Sequence, residues 1–210
     1  MVLSGGRSTR MGTDKGRLVV SGRTFLERTL AAAAPVASRL VAVAPPSPLP
    51  EVPGWPPLHF TLEDPPFGGP VAGIAAGLAL VDTPQVLLLA VDLARPSAVV
   101  SQLEDIPDGK DGLALVDPDG WPQYLAARYR TSALRARLAG LGSVRGLSVR
   151  RFASALDLTL IAAAEGTTAD IDSPDQLGLA AGERWQDVHP RDAIEGPSEI
   201  CEPGSIHQQG

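Results

Sequence analysis

Apolar residues in this chain come in short blocks, and the blocks switch repeatedly between two spacings. Met1-Val2-Leu3 reads as the end of a β-strand. Thr24 can cap a helix through Phe25, Leu26, Leu30 and the alanines to about Ala34, with Glu27 completing a capping box. Arg39 to Ala44 and Leu58 to Leu62 read as strands, separated by residues 45–57 with their seven prolines. After Gly68-Gly69-Pro70, Val71 to Leu80 forms a small-residue helix. Val86 to Val91 is an unbroken apolar run suited to a strand buried on both faces. Further on, a helix is expected at Pro96–Leu103, strands at Gly112–Val116 and Gln123–Tyr129, and a helix at Thr131–Leu138. Asp117-Pro118-Asp119-Gly120 is a turn. Strand and helix in alternation predict an α/β fold, a mostly parallel mixed sheet with helices on both faces.

Composition narrows the function classes. The 210 residues favour one domain, here drawn as residues 1–182, with enough chain for a substantial core. Apolar content of 44% and charged content of 20% are those of a soluble protein. No apolar run is long enough to span a bilayer and no signal peptide opens the chain, so no membrane role and a cytoplasmic location are expected. The net charge of −6 argues against nucleic acid as a partner. Residues 183–210 hold six acids and two arginines, so most of that charge is local, in a polar segment expected to be a disordered or loosely docked tail. Cys201, the only cysteine, lies in that tail, and His59, His189 and His207 are scattered. Neither a cysteine zinc site nor a nucleophilic triad is evident.

The candidate chemistry sits in Leu3-Ser4-Gly5-Gly6-Arg7-Ser8-Thr9-Arg10-Met11-Gly12-Thr13-Asp14-Lys15. Gly5 and Gly6 permit successive backbone N–H groups to turn toward one anion, and Arg7, Arg10 and Lys15 add positive charge. A triphosphate suits such a cradle. The Walker A spacing is absent, because Gly6 and Gly12 enclose five residues and Thr13-Asp14 intervene before Lys15. The chain has only two lysines, Lys15 and Lys110, so a lysine here suggests a need for a compact ammonium.

Ligands of open α/β sheets bind beyond the carboxyl ends of the strands. That rule gathers the Gly/Arg loop, Glu63-Asp64, Asp92 and Asp170-Ile171-Asp172 at one end. Asp92, directly after an apolar strand, needs a cation to offset its desolvation. Magnesium bridging triphosphate oxygens is one candidate, since it is held by few carboxylates plus phosphates. The other reading of Asp92 is a cap for the helix at Pro96.

The Gly/Arg loop resembles the signature of the nucleotidyltransferases, and most of all that of the molybdenum cofactor guanylyltransferases in the MobA-like branch. Gly68-Gly69-Pro70-Val71-Ala72-Gly73-Ile74, preceded by Glu63-Asp64, is similar to the family's second glycine motif. Leu87 to Asp92 resembles its metal-presenting strand, residues 120–134 its acceptor-side strand and helix, and Asp170 to Leu177 its closing motif. The likeness runs over about residues 2–180. It implies a Rossmann-like nucleotidyltransferase fold and transfer of GMP from GTP to the terminal phosphate of molybdopterin, with Mg2+ and release of pyrophosphate. By the same resemblance Leu3, Ser4, Gly5 and Gly6 would meet guanine and ribose-phosphate, with Asp64 and Gly69 also on the nucleotide. Lys15 would neutralise the phosphates, Arg10 would stabilise the departing pyrophosphate, and Asp92 would hold magnesium, with Asp170 or Asp172 as a second metal contact. Transient contact with molybdoenzymes or other cofactor-biosynthesis proteins is implied as well. Related enzymes using CTP on molybdopterin, or an NTP on another phosphorylated acceptor, and a degenerate nucleotide-binding protein are the alternatives.

Three departures fall near substrate contacts, one of them Leu93-Ala94-Arg95 after Asp92, where Met-Pro or Thr-Pro is common. Ala44 stands where the guanylyltransferases often have asparagine, and Tyr124 where proline is frequent. Residues 140–151 are basic, and the comparable region of the family contributes to the pterin side. Here Ser143 is expected to cap a helix holding Val144, Leu147 and Arg150, with Arg145 toward the cleft. Trp121 lies near the acceptor side, where stacking on a pterin is one reading and core or loop packing is the expected job.

Overall fold

The computed structural model describes residues 1–4, 15–50, 52–168 and 171. Gly5, Gly6, Arg10, Asp170, Asp172 and the tail therefore lie outside the described residues. Seven strands form the main sheet: β1 (Val2–Leu3), β4 (Leu40–Val43), β5 (Leu58–Thr61), β6 (Gln85–Ala90), β7 (Gly112–Val116), β8 (Pro122–Arg130) and β9 (Leu158–Ala162). Their order across it is β5-β4-β1-β6-β8-β7-β9. Only β8 runs antiparallel to its neighbours. The two-residue strands β2 (Val19–Val20) and β3 (Arg23–Thr24) form a separate hairpin.

Helices cover both faces, as the alternating pattern predicts. Val2, Ala42, Leu89, Leu113 and Leu115 face the cluster that α1 (Phe25–Ala33) and α3 (Pro96–Gln102) complete. Leu3, Val41, Val43, Leu88 and Ala114 face α2 (Pro70–Leu78), α4 (Thr131–Ala139) and α5 (Val149–Ala153). Successive strand residues thus serve opposite cores, the period of two expected of a doubly covered sheet. α2 is built of small residues because it packs close to the strands: a Cβ on Gly73 would lie 3.2 Å from Val43.

Local chemistry sets α1 in place. Thr24 Oγ1 accepts from the Glu27 N–H at 3.1 Å, and the Glu27 carboxylate accepts from the Thr24 N–H, the expected capping box. The helix expected from Ser143 is not there. Ser143 Oγ instead accepts from Arg145 N–H in a turn, Gly146 takes φ +70°, and Ser148 caps α5. The sequence pattern predicts neither β9 nor the β2–β3 hairpin. No helix among the described residues is long and apolar enough to cross a membrane.

Candidate functional site

The apolar run of β6 delivers Asp92 two residues past Ala90, at the carboxyl end of the sheet. There its Oδ2 lies 2.8 Å from Lys15 Nζ, 77 residues away in sequence. The Lys15 and Asp92 side chains are 18% and 21% exposed, so water reaches the pair without dissolving it. Asp92 does not cap α3: the residue before that helix is Arg95, and no side chain caps it. A carboxylate at the mouth of a buried strand has found a cation, which is how the cost of its desolvation is offset.

The pair is held by α1. Lys15 begins a 3-10 turn (Lys15–Arg17) whose end is fixed by Leu18 N–H on Lys15 O at 3.2 Å, and buried Leu18 accepts from Phe25 N–H at 2.9 Å. On the Asp92 side, three carbonyls of one short stretch are each anchored. Thr29 Oγ1 donates to Val91 O at 3.3 Å, Ile171 N–H to Asp92 O at 3.0 Å, and Arg28 Nη2 to Ala94 O at 3.0 Å. Burial lowers the Arg28 pKa, and its other terminal nitrogen, Nη1, is buried with no partner among the described residues. Sequence reasoning assigns no role to Arg28 or Thr29. A polar Thr29 beside Leu30 in the apolar stripe of α1 is the available signal.

The remaining expected residues distribute along the same end. Ile171, between Asp170 and Asp172, brings its backbone onto Asp92 O. Leu3 O accepts from Val91 N–H at 3.0 Å, and Ser4 N–H donates to Val43 O at 3.1 Å. Those two groups are committed to the sheet. Gly69 stands at φ +93° ahead of α2, a conformation that side chains disfavour. Asp64 is exposed after β5, three interstrand spacings or about 14 Å from β6. It does not touch Lys15 or Asp92, and only a ligand lying across the strand ends can connect them.

The metal question turns on donor chemistry. No cluster of three ligating side chains exists among the described residues. Magnesium does not require one, because phosphate and water oxygens complete its octahedron. Asp92 is a hard oxygen donor, and among the described residues nothing donates to its Oδ1. The residues present therefore fit a magnesium ion brought with a nucleotide.

A cavity of about 300 Å3 lies elsewhere, lined by Met1, Arg39, Asp82, Gln85 and Arg128 among others. It opens at the amino ends of β4 and β6, roughly 20 Å along β6 from Asp92. It is not the site of these residues.

Comparison with known proteins agrees with the fold. A probable molybdenum cofactor guanylyltransferase of Chloroflexus aggregans is 33% identical over 145 residues, 64% of this chain and 66% of the relative. The chain thus spans just under two thirds of that relative's length. Among solved structures, the molybdopterin-guanine dinucleotide biosynthesis protein A of Archaeoglobus fulgidus matches with a TM-score of 0.60 at 20% identity, over 86% of this chain and 95% of that one. The 2-C-methyl-D-erythritol 4-phosphate cytidylyltransferase of Thermus thermophilus matches with a TM-score of 0.60 at 23% identity, over 86% and 96%. Both show the fold. The model of the MobA-like NTP transferase domain matches residues 1–157, and the chain belongs to that family.

Proposed function

We propose that this protein transfers GMP from GTP to the terminal phosphate of molybdopterin, releasing pyrophosphate and forming the guanine dinucleotide cofactor. The observation that carries the reading is the Lys15–Asp92 pair, 2.8 Å apart beyond the carboxyl ends of β1 and β6. Family membership and the names of the relatives supply the substrates.

In the reaction, an oxygen of the acceptor phosphate bonds to the α-phosphorus of GTP, and the bond from that phosphorus to the bridging oxygen of the β-phosphate breaks. Two anions must approach, so catalysis rests on alignment and charge neutralisation, without a covalent intermediate on the protein. Lys15 acts on the phosphates as a compact ammonium already fixed by its turn. Asp92 would hold magnesium through the oxygen that Lys15 leaves open; the ion, when bound, neutralises charge on the triphosphate. Thr29 and Arg28 keep the Asp92 stretch at its distance from Lys15. Arg10 would meet the departing pyrophosphate, and Asp170 or Asp172 would add a second metal contact. Leu3, Ser4, Gly5, Gly6, Asp64 and Gly69 would line the path of the nucleoside. The enzyme would act in the cytoplasm on these two small molecules.

The test is pyrophosphate release by purified protein with magnesium and molybdopterin, using GTP and CTP in parallel. Turnover that requires molybdopterin and prefers GTP is expected. Preference for CTP, or nucleotide binding without turnover, overturns the reading.

A further inference from the structure

Trp121 is packed less than tryptophan usually is. Trp55 is half-buried against the core, whereas Trp121 is 54% exposed at the tip of the β7–β8 hairpin. That tip is tied together by hydrogen bonds centred on Asp117. The Asp117 carboxylate accepts from the N–H of Asp119 at 3.0 Å, from the N–H of Trp121 at 2.8 Å and from Gln123 Nε2 at 2.7 Å. The Asp117 N–H donates to Trp121 O at 3.0 Å, closing the turn. An exposed indole is thus held on a frame that leaves its backbone little freedom. Its side chain has only two torsions to lose on binding.

Arg150 covers one face of that indole. Its guanidinium carbon lies 4.7 Å from the ring centroid, and it has no carboxylate partner among the described residues. At that spacing nothing fits between them, so only the opposite face of the ring could take a flat ligand. The position is also right. β7 ends beside β8 at the same end of the sheet as Asp92, and β7 lies two interstrand spacings, about 10 Å, from β6. The turn leading into α5 reaches back to the second glycine motif, where Gly146 N–H donates to Gly68 O at 2.7 Å. The Arg150 segment therefore bridges the nucleotide side and the hairpin.

We infer that Trp121, backed by Arg150, is the platform on which the ring of the acceptor stacks, selecting a planar heteroaromatic anion over an aliphatic phosphate. The inference rests on the acceptor named above and adds a residue that determines its specificity. Stacking on an indole face is sequence-tolerant in nucleic-acid proteins for the same reason it suits a pterin, a flat π-system of matching size. The guanidinium supplies a delocalised positive charge within reach of the ligand's anionic arm.

Calorimetric titration separates the two readings. The probes are pterin-6-carboxylate, ribose 5-phosphate and Mg-GTP, against the full chain and Trp121→Leu, Trp121→Phe and Arg150→Gln. Trp121→Leu should weaken pterin-6-carboxylate by about tenfold, Trp121→Phe by no more than about threefold, and Arg150→Gln by a few-fold. Affinities for Mg-GTP and ribose 5-phosphate should stay unchanged in all three. Equal pterin affinity in Trp121→Leu and wild type, with only a lower unfolding midpoint, overturns the platform and leaves the guanylyltransferase reading standing. No pterin binding by wild type that binds Mg-GTP overturns the platform and the acceptor together. Pterin binding through Trp121 without Mg-GTP binding keeps the platform and overturns the guanylyltransferase reading.

Discussion

The two ends of the sheet both carry arginine or lysine beside a carboxylate, yet they spend those charges differently. At the amino end, Arg39 pairs with Asp82 and donates to Leu80 O at 2.8 Å, and Arg128 donates to Leu103 O at 2.9 Å. These cations close off loop carbonyls around the 300 Å3 cavity. At the carboxyl end, the carbonyls around Asp92 are satisfied by Thr29, Arg28 and Ile171, which leaves the carboxylate itself to Lys15. What marks the carboxyl end is a lysine–carboxylate pair at the mouth of a buried strand, with the neighbouring carbonyls anchored by other groups.

If that contrast holds, changes at the amino end move stability, and changes at the carboxyl end move turnover. The largest effect belongs to the amine of Met1, which donates to Leu87 O at 2.8 Å and whose pKa burial lowers from 8.0 to about 5. Between those values the unfolded chain holds a proton that the folded chain rejects, so stability rises with pH across that window. In a chain beginning at Met1, acidification from pH 8 to pH 5 should cost about 3 kcal/mol, read by urea unfolding. Nα-acetylation should flatten the profile, and equal slopes with and without the acetyl group would break this half of the contrast.

Next comes the site itself. Lys15→Ala and Asp92→Ala should each lower turnover about a hundredfold, on the order of 3 kcal/mol in the barrier, with the unfolding midpoint little moved. Near-normal turnover in both variants removes the roles given to them. Thr29→Val strips Val91 O of its donor and should cost about 1–2 kcal/mol of stability. It should also reduce kcat several-fold while the conservative Thr29→Ser retains most of it. A Thr29→Val protein with unaltered kcat would show that α1 does not position Asp92. The smallest effect is expected of Arg39→Met, about 1 kcal/mol or less because the pair is half in water, with kcat unchanged.

Much of this was legible in the residues, for identifiable reasons. The unbroken run from Val86 marked the central strand because a doubly covered strand has no polar face to show. The capping box at Thr24 and Glu27 fixed the start of α1, since both reciprocal partners are written in the sequence. What escaped was decided by context. Ser143 and Ser148 both precede helical spacing, and the positive φ of Gly146 between them gives the cap to Ser148. β9 is a half-exposed edge strand whose pairing with β7 supplies the order that its pattern does not. Trp121 reads as packing until the hairpin is seen to lift it into solvent. Thr29 and Arg28 gain meaning only when α1 lies against the loop after β6.

A crystal structure with GTP and magnesium tests the central claim most directly. The account predicts a metal on Asp92 and a triphosphate beside Lys15, beyond the carboxyl ends of β1 and β6. Nucleotide bound instead in the amino-end cavity beside Arg39 and Arg128, with the Lys15–Asp92 pair untouched, would contradict it.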